Sequence, residues 1–485
     1  MNSRMCVLDE VVHLRAIEQA KPSTSSCRSE TKQHRARGAL MAQMPMARVR
    51  FTPATLAPRD CEGRVGLFFP FRGFDSVPCL VAAVELLCES RFAVDVFMPS
   101  GSEAVSCTLP YFADSSARFP AFIESGVPWP RVAGRLARFV PYDLYELGAG
   151  PVVRGRRRRA IAERAMVERA AEMPFTCLIG VDPQGLIEAQ AWSASLGTPY
   201  MCWSLEILIR EELYSSRFLR LKDREVAANR GALLTIVQDE DRASLLAAQN
   251  DIPTERIVHV PNAYRGVARR SKSYFAHQLL GIPAGETVVL AAGEVAPWAM
   301  SEQIVRSVSD WPEGFTLVVH SRFDLGANKH ADRVVAAADP RRVRFSTRPL
   351  PPAQYQSLVD SADVGLALYE PQPAERWLQG NLRTLGLSSG KLAAYLRAGV
   401  PVIVSRLKGP EGLVDGYRCG IVIEQADQLP GALRMVRGRH DEFSANAIRA
   451  FDGSLSVDRY LQPVLTVLAD LAHPTRSGTA TRPAR

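Results

Sequence analysis

Apolar runs of strand length alternate with amphipathic stretches along most of the chain. Val65–Pro70, Ala93–Met98, Phe175–Val181, Thr198–Trp203, Leu233–Val237 and Ile257–Val260 are apolar at consecutive rather than alternate positions. That is the pattern of strands buried on both faces of a parallel sheet. Helices from about Pro78 to Ser90 and from Pro183 to Leu196, the latter with Asp182 as a cap or as a cleft residue, separate some of them. After a junction at Asn262–Ser271 the pattern starts again with Thr287–Ala292, Phe315–Val319, Val343–Ser346 and Val364–Tyr369, with a helix at Pro352–Ser361. Beyond Val422 the chain reads as helical, and Leu455–Leu471 has apolar residues at helical spacing, with Pro463 expected to kink or split that helix. The fold class is α/β, two Rossmann-like doubly wound parallel sheets. The expected layout is a disordered extension over 1–60, a first domain over 61–265, a second over 266–450, a terminal helix over 451–472 and a disordered tail over 473–485.

Ligands of open α/β sheets bind outside the carboxyl ends of the strands, so two such sheets define a cleft walled by the residues that follow each strand. Those residues are polar for one cleft: Arg72 and Gly73, Asp182, Ser204 to Glu206, Asn262, Gly293 and Glu294, His320 to Arg322, Tyr369 and Glu370. The run from Gly386 to Ser405 is the most informative, reading as a hydroxyl-rich turn, a short helix stopped at Gly399 and a strand opened by Pro401. Ser388 or Ser389 can cap that helix, Gly390 admits close approach, and the first-turn N–H groups face an anion with Lys391 beside them. The same residues also suit any helix-to-strand unit of a parallel sheet, so the rest of the chain has to decide.

With 485 residues, 47% hydrophobic and 23% charged, the chain can hold two domains and extensions. No apolar run approaches the roughly 20 residues of a membrane helix. Residues 1–60 have no secretory core segment, and Met41, Met44 and Met46 are alternative starts. Nine cysteines without a C-x-x-C pair point to a reducing cytoplasm, and eight histidines show no metal-ligand spacing, so neither metal nor cofactor is expected. The net charge of +8 owes much to Arg154–Arg169, which reads as a solvated helix start or as a peripheral contact with the inner membrane face. No aromatics interleave it, which argues against nucleic acid.

From about Arg64 to Leu471 the chain resembles the GT-B glycosyltransferases, and among them the family-4-like group that takes sugars from nucleotide diphosphates. The residues carrying the resemblance are Val260-Pro261-Asn262-Ala263, Leu290-Ala291-Ala292-Gly293, Asp360 through Leu368 and Lys391 through Ser405, in the right order and spacing. The resemblance implies two facing Rossmann-like domains, an acceptor domain first and a nucleotide-sugar donor domain second, with the last helix crossing back. It also implies two carboxylates that are missing, since Gly386 and Ala394 stand at their positions. A basic pair after the first strand is missing as well, with Glu294 through Trp298 in its place. Donor binding would then rest on Ser388, Ser389, Gly390, Lys391, Arg322 and Gly293. A Ser/Gly/Lys loop of this kind resembles some polysaccharide-assembly transferases.

Sugar transfer needs a stabilised leaving diphosphate, which helix N–H dipoles and a Lys can supply without a metal. Asp239-Glu240-Asp241 suits a capped helix start rather than a metal motif. Glu206 and Asp182 are the candidate acceptor-side carboxylates, as hydroxyl partner or base. Arg72 and Gly73 form a first loop able to approach acceptor or phosphate, His320 ends a buried strand, and Asn262 fixes a turn at the junction. The expected protein moves a sugar from a nucleotide sugar to a glycan, lipid-linked or small-molecule acceptor, with retention implied by the resemblance. The rivals are a sugar-nucleotide epimerase and a noncatalytic scaffold partnering another transferase.

Overall fold

The structure, a computed structural model, describes residues 61–71, 73–99, 121–125 (backbone), 166–323, 325, 329–372 and 378–473. The expected extension over 1–60, Arg72, the basic segment up to residue 165 and the tail from 474 lie outside the described residues. Strands β1 (Gly63–Phe68), β2 (Phe92–Pro99), β3 (Ala121–Ser125), β4 (Cys177–Val181), β5 (Tyr200–Trp203), β6 (Thr235–Val237) and β7 (Ile257–His259) form a parallel sheet in the order 3-2-1-4-5-6-7. Strands β8 (Thr287–Ala292), β9 (Phe315–His320), β10 (Val343–Ser346), β11 (Val364–Ala367), β12 (Val402–Ser405) and β13 (Gly420–Ile423) form a second parallel sheet in the order 10-9-8-11-12-13. Both sheets therefore reverse strand order beside their first strand, at β1/β4 and at β8/β11. These are the switch points where open α/β sheets bind ligands.

The strands the apolar runs predict are present within a residue or two. Strands β3 and β13 are additions: Gly420–Ile423 lies partly where helix alone was expected, and its four-residue run is too short to separate from a buried helix turn by pattern. The helices used below are α1 (Pro78–Glu89), α2 (Asp182–Leu196), α3 (Glu240–Asn250), α4 (Gln379–Arg383), α5 (Gly390–Arg397), α6 (His440–Ser454) and α7 (Gln462–Ala472). The terminal segment is split as expected, but Pro463 lies in the first turn of α7, where its missing N–H costs nothing, rather than inside a helix.

The chain end returns to the first sheet. Val464 and Leu468 of α7 share an apolar cluster with β1 and α1, and His473 Nε2 lies 2.7 Å from Glu62 Oε2. Arg265 ties Glu89 of α1 to Asp458 ahead of α7, at 2.7 and 2.8 Å. No helix among the described residues is long and apolar enough to cross a membrane. All six described cysteines are free, and five of them are buried.

Candidate active site

On the second sheet, β11 runs into Leu368, Tyr369 and Glu370, and the chain returns through α4 to α5. Ser389 caps α5: its Oγ accepts from Leu392 N–H at 3.4 Å and shares a 2.6 Å hydrogen bond with the Tyr369 hydroxyl. The Ser388 hydroxyl donates to the Leu385 carbonyl, and the Ser388 carbonyl accepts from Asn262 Nδ2 at 3.1 Å. Both serine hydroxyls, expected to face a ligand, thus serve the protein. The N–H groups of Gly390 and Lys391 have no protein acceptor among the described residues and remain open to a ligand.

Lys391 Nζ lies over the Tyr369 ring, 4.3 Å from its centroid, and no carboxylate pairs with it among the described residues. Burial pulls its pKa down to about 8. Tyr369 stacks parallel on Trp298, the centroids 6.1 Å apart. A β carbon at Gly293, which follows β8, would stand 3.9 Å from Nζ. An unpaired, half-buried ammonium beside two helix N–H groups without a protein acceptor, at a switch point, is an arrangement suited to an anion.

Arg322, after β9, reaches across the cleft. Its guanidinium is 3.5 Å from Asp75 Oδ1 in the loop after β1. A β carbon at Gly73 (φ 82°) would stand 3.2 Å from it, and the left-handed backbone favours glycine there. Gly73 thus meets Arg322 from the second sheet. Pro78, which opens α1, faces Gly390 from the same side: a β carbon at Gly390 would be 3.6 Å from its Cγ. Asp75 competes with any phosphate for Arg322. Asp75→Asn is expected to tighten nucleoside diphosphate binding about threefold, the scale of a partly exposed ion pair, and Arg322→Ala to weaken it; titration of both variants checks this.

Of the two roles expected for Asp182, the cap is not made. Asp182 is the first residue of α2 (φ 52°), and its side chain makes no capping bond. It is 1% exposed, and its Oδ1 accepts from the N–H groups of Leu205 and Glu206 at 2.6 and 3.1 Å. Burial pushes its carboxyl up to about 8, with the charge of Glu206 adding to the rise. Asp182 therefore holds the loop that carries Glu206, and Glu206 itself is half-buried at the end of β5.

Other positions gain roles. Asp239 caps α3 as expected, accepting from Arg242 N–H at 3.0 Å, and its Oδ2 also accepts from Leu387 N–H at 2.8 Å. Gly386 has φ 49°, and a β carbon there would stand 1.9 Å from Asp239 Oδ2, while Ala394 is buried in the core. Neither position has room for the carboxylate that the resemblance implies. Glu294 sits in the loop after β8 whose Trp298 stacks on Tyr369. His320 is a core residue, hydrogen-bonded to Ser346 Oγ at 3.0 Å, and burial lowers its pKa to about 4. Asn262 N–H donates to the Leu387 carbonyl at 2.9 Å, so the expected junction turn also anchors the loop ahead of α5. A cavity of about 320 Å³ is lined by Pro297, Glu302, Gln303, Arg306, His330 and Arg333, without Lys391, and its Glu302 already accepts from both arginines. No group of three His, Cys, Asp or Glu residues among the described residues could hold a metal.

Sequence reasoning missed Asp75, Tyr369 as the platform under Lys391, Arg242 and Asn381. Tyr369 was visible as a residue following a strand. The other three carry no local signal, because their partners lie far away in sequence.

No protein-family model matches the sequence, and no curated sequence matches it. Solved structures do. HepE of Anabaena in complex with UDP-glucose is similar over 84% of this chain and 100% of its own, with TM-score 0.60 and 15% identity. Sucrose-phosphate synthase from Thermosynechococcus elongatus covers 85% of this chain and 100% of its own, at TM-score 0.56 and 13% identity. WaaG, a glycosyltransferase involved in lipopolysaccharide biosynthesis, covers 84% and 99%, at TM-score 0.51 and 14% identity.

Proposed function

We propose that this chain, which has the GT-B fold, is a glycosyltransferase that takes a sugar from a nucleotide-diphosphate sugar. The observation that carries the proposal is Lys391: an unpaired, half-buried ammonium beside the open N–H groups of Gly390 and Lys391, at the switch point of the second sheet. Partial burial without a counter-ion disfavours the charged ammonium, and a diphosphate supplies the missing charge. Similarity to a fold solved with UDP-glucose supports the same reading.

In the reaction, the bond from the anomeric carbon to the diphosphate oxygen breaks with its electrons going to that oxygen, and the acceptor oxygen bonds to the anomeric carbon. Lys391, the two N–H groups and Arg322 stabilise the negative charge that develops on the diphosphate, which is work a preorganised site does without reorganising. Glu206 holds the acceptor hydroxyl and is the candidate to receive its proton; Asp182 acts only by holding Glu206. Transfer is metal-independent and retaining in this proposal, the acceptor a glycan, a lipid-linked sugar or a small molecule. Cytoplasmic placement, with contact at the inner membrane face through Arg154–Arg169, belongs to the same proposal.

A second reading has its own support. Gly386 and Ala394 are closed to carboxylates and the donor segment is bonded to the first domain through Asp239, as suits a noncatalytic scaffold. Turnover separates the two. Incubation with UDP-, GDP-, dTDP- and ADP-sugars and a pool of glycan and lipid-linked acceptors, with and without EDTA, should release one diphosphate in an EDTA-insensitive way. Binding without release from any donor would favour the scaffold.

A further inference from the structure

Glu206 sits in a loop whose backbone is fixed to an unusual degree. Over Ser204–Ile207 all eight main-chain polar groups have partners. Ser204 N–H donates to the Ile236 carbonyl, and the Ser204 carbonyl accepts from Gln238 Nε2 at 2.8 Å. The N–H groups of Leu205 and Glu206 go to Asp182, the Leu205 carbonyl accepts from Arg242 Nη2 at 2.7 Å, and the Glu206 carbonyl accepts from Ser204 Oγ at 3.2 Å. Ile207 is held from the other sheet: its N–H donates to Asn381 Oδ1 at 3.0 Å, and its carbonyl accepts from Asn381 Nδ2 at 2.9 Å.

Asn381 is 3% exposed and belongs to α4, nine residues before Gly390. Its Oδ1 also accepts from Arg242 Nη2 at 3.1 Å, and Arg242 Nη1 donates to the Thr384 carbonyl at 3.3 Å. This fixes which way the amide points, since only Oδ1 can serve both the Ile207 N–H and the guanidinium. Arg242, 1% exposed, meets no carboxylate within ion-pair distance among the described residues, and both of its terminal nitrogens donate to this junction. The Glu206 loop and the segment carrying Lys391 thus share one buried hydrogen-bond network. A loop could be closed by apolar packing, whereas buried amides and guanidinia are directional and set geometry.

We infer that Asn381 is a positioning residue, tying the backbone under Glu206 to the anion-binding segment so that occupation of the Lys391 site is felt at the acceptor-side carboxylate. The inference rests on the transferase reading above. Reciprocal bonding to one residue makes Asn381 a hinge pin: a shift of α4 moves Ile207 with it, and Glu206 is the adjacent residue.

The test begins with UDP, GDP, dTDP and ADP titrated into the full-length protein, followed by hydrogen exchange with the diphosphate that binds. In the wild type, that diphosphate is expected to slow amide exchange at Leu205, Glu206 and Ile207 at least fivefold. In Asn381→Ala the affinity should stay within threefold while this slowing disappears, and turnover should show kcat at least tenfold lower with donor KM within threefold. Asn381→Asp is the second variant, because it keeps the acceptor for Ile207 N–H and for Arg242 but loses the donor to the Ile207 carbonyl. If diphosphate slows the loop in both folded variants as in the wild type, Asn381 does not position Glu206 and the inference is overturned. If none of the four diphosphates binds the wild type, the transferase reading fails and takes the inference with it.

Discussion

Gly386→Glu is expected to destabilise the protein by about 3 kcal/mol or more, although it restores a carboxylate where the resembled family carries one. Gly386 has φ 49°, which strains any residue with a β carbon, and that carbon would stand 1.9 Å from Asp239 Oδ2. The Leu387 N–H bond to the same oxygen would be lost too, a further ~1 kcal/mol. Gly386→Ala should show most of the loss, because the β carbon is the cause rather than the charge. Thermal and denaturant unfolding of both variants checks this. Unfolding midpoints equal to the wild type would show that the loop has room for a carboxylate. The absent carboxylate is thus a consequence of how the donor loop docks: the space is occupied by an acid from the first domain.

Lys391→Ala is expected to weaken nucleoside diphosphate binding by about two orders of magnitude, roughly 2.7 kcal/mol. The ammonium is the cation the site leaves unpaired, whereas the two helix N–H groups survive the substitution. Removing it also relieves the cost of burying a charge, so the free variant should be at least as stable as the wild type. A loss of binding together with retained or raised stability would separate a ligand site from a structural lysine. The pH sense follows from its lowered pKa. Below about 8 the ammonium is charged in folded and unfolded chains alike; between there and its ordinary value near 10.4 the unfolded chain binds the extra proton. The free protein therefore gains stability from this group as pH rises past about 8, while affinity for an anion falls.

The sheets were legible because their strands are buried on both faces and so leave continuous apolar runs. The start of α5 was legible for a related reason: a cap, a glycine and a lysine are neighbours in sequence, and Ser389, Gly390 and Lys391 open the helix together. What the sequence hid depends on residues brought together by the docking of two sheets. Asp182 looked like a cap because it precedes Pro183, but its carboxylate turns to a loop 23 residues on. Arg242 and Asn381 meet across 139 residues, and Asp75 meets Arg322 across the cleft, with no periodicity to announce either pair. The serines show the limit of composition: hydroxyls suited to a phosphate are used instead by Tyr369 and Leu385.

The most direct test of the central claim is calorimetric titration of the wild type with UDP, GDP, dTDP and ADP near pH 9, with EDTA, in two buffers of different ionisation enthalpy. One diphosphate is predicted to bind despite EDTA and to take up a proton as it does so, because the bound anion restores the charge on Lys391. Binding without proton uptake would place the anion away from Lys391, and binding by none of the four would contradict a donor site there.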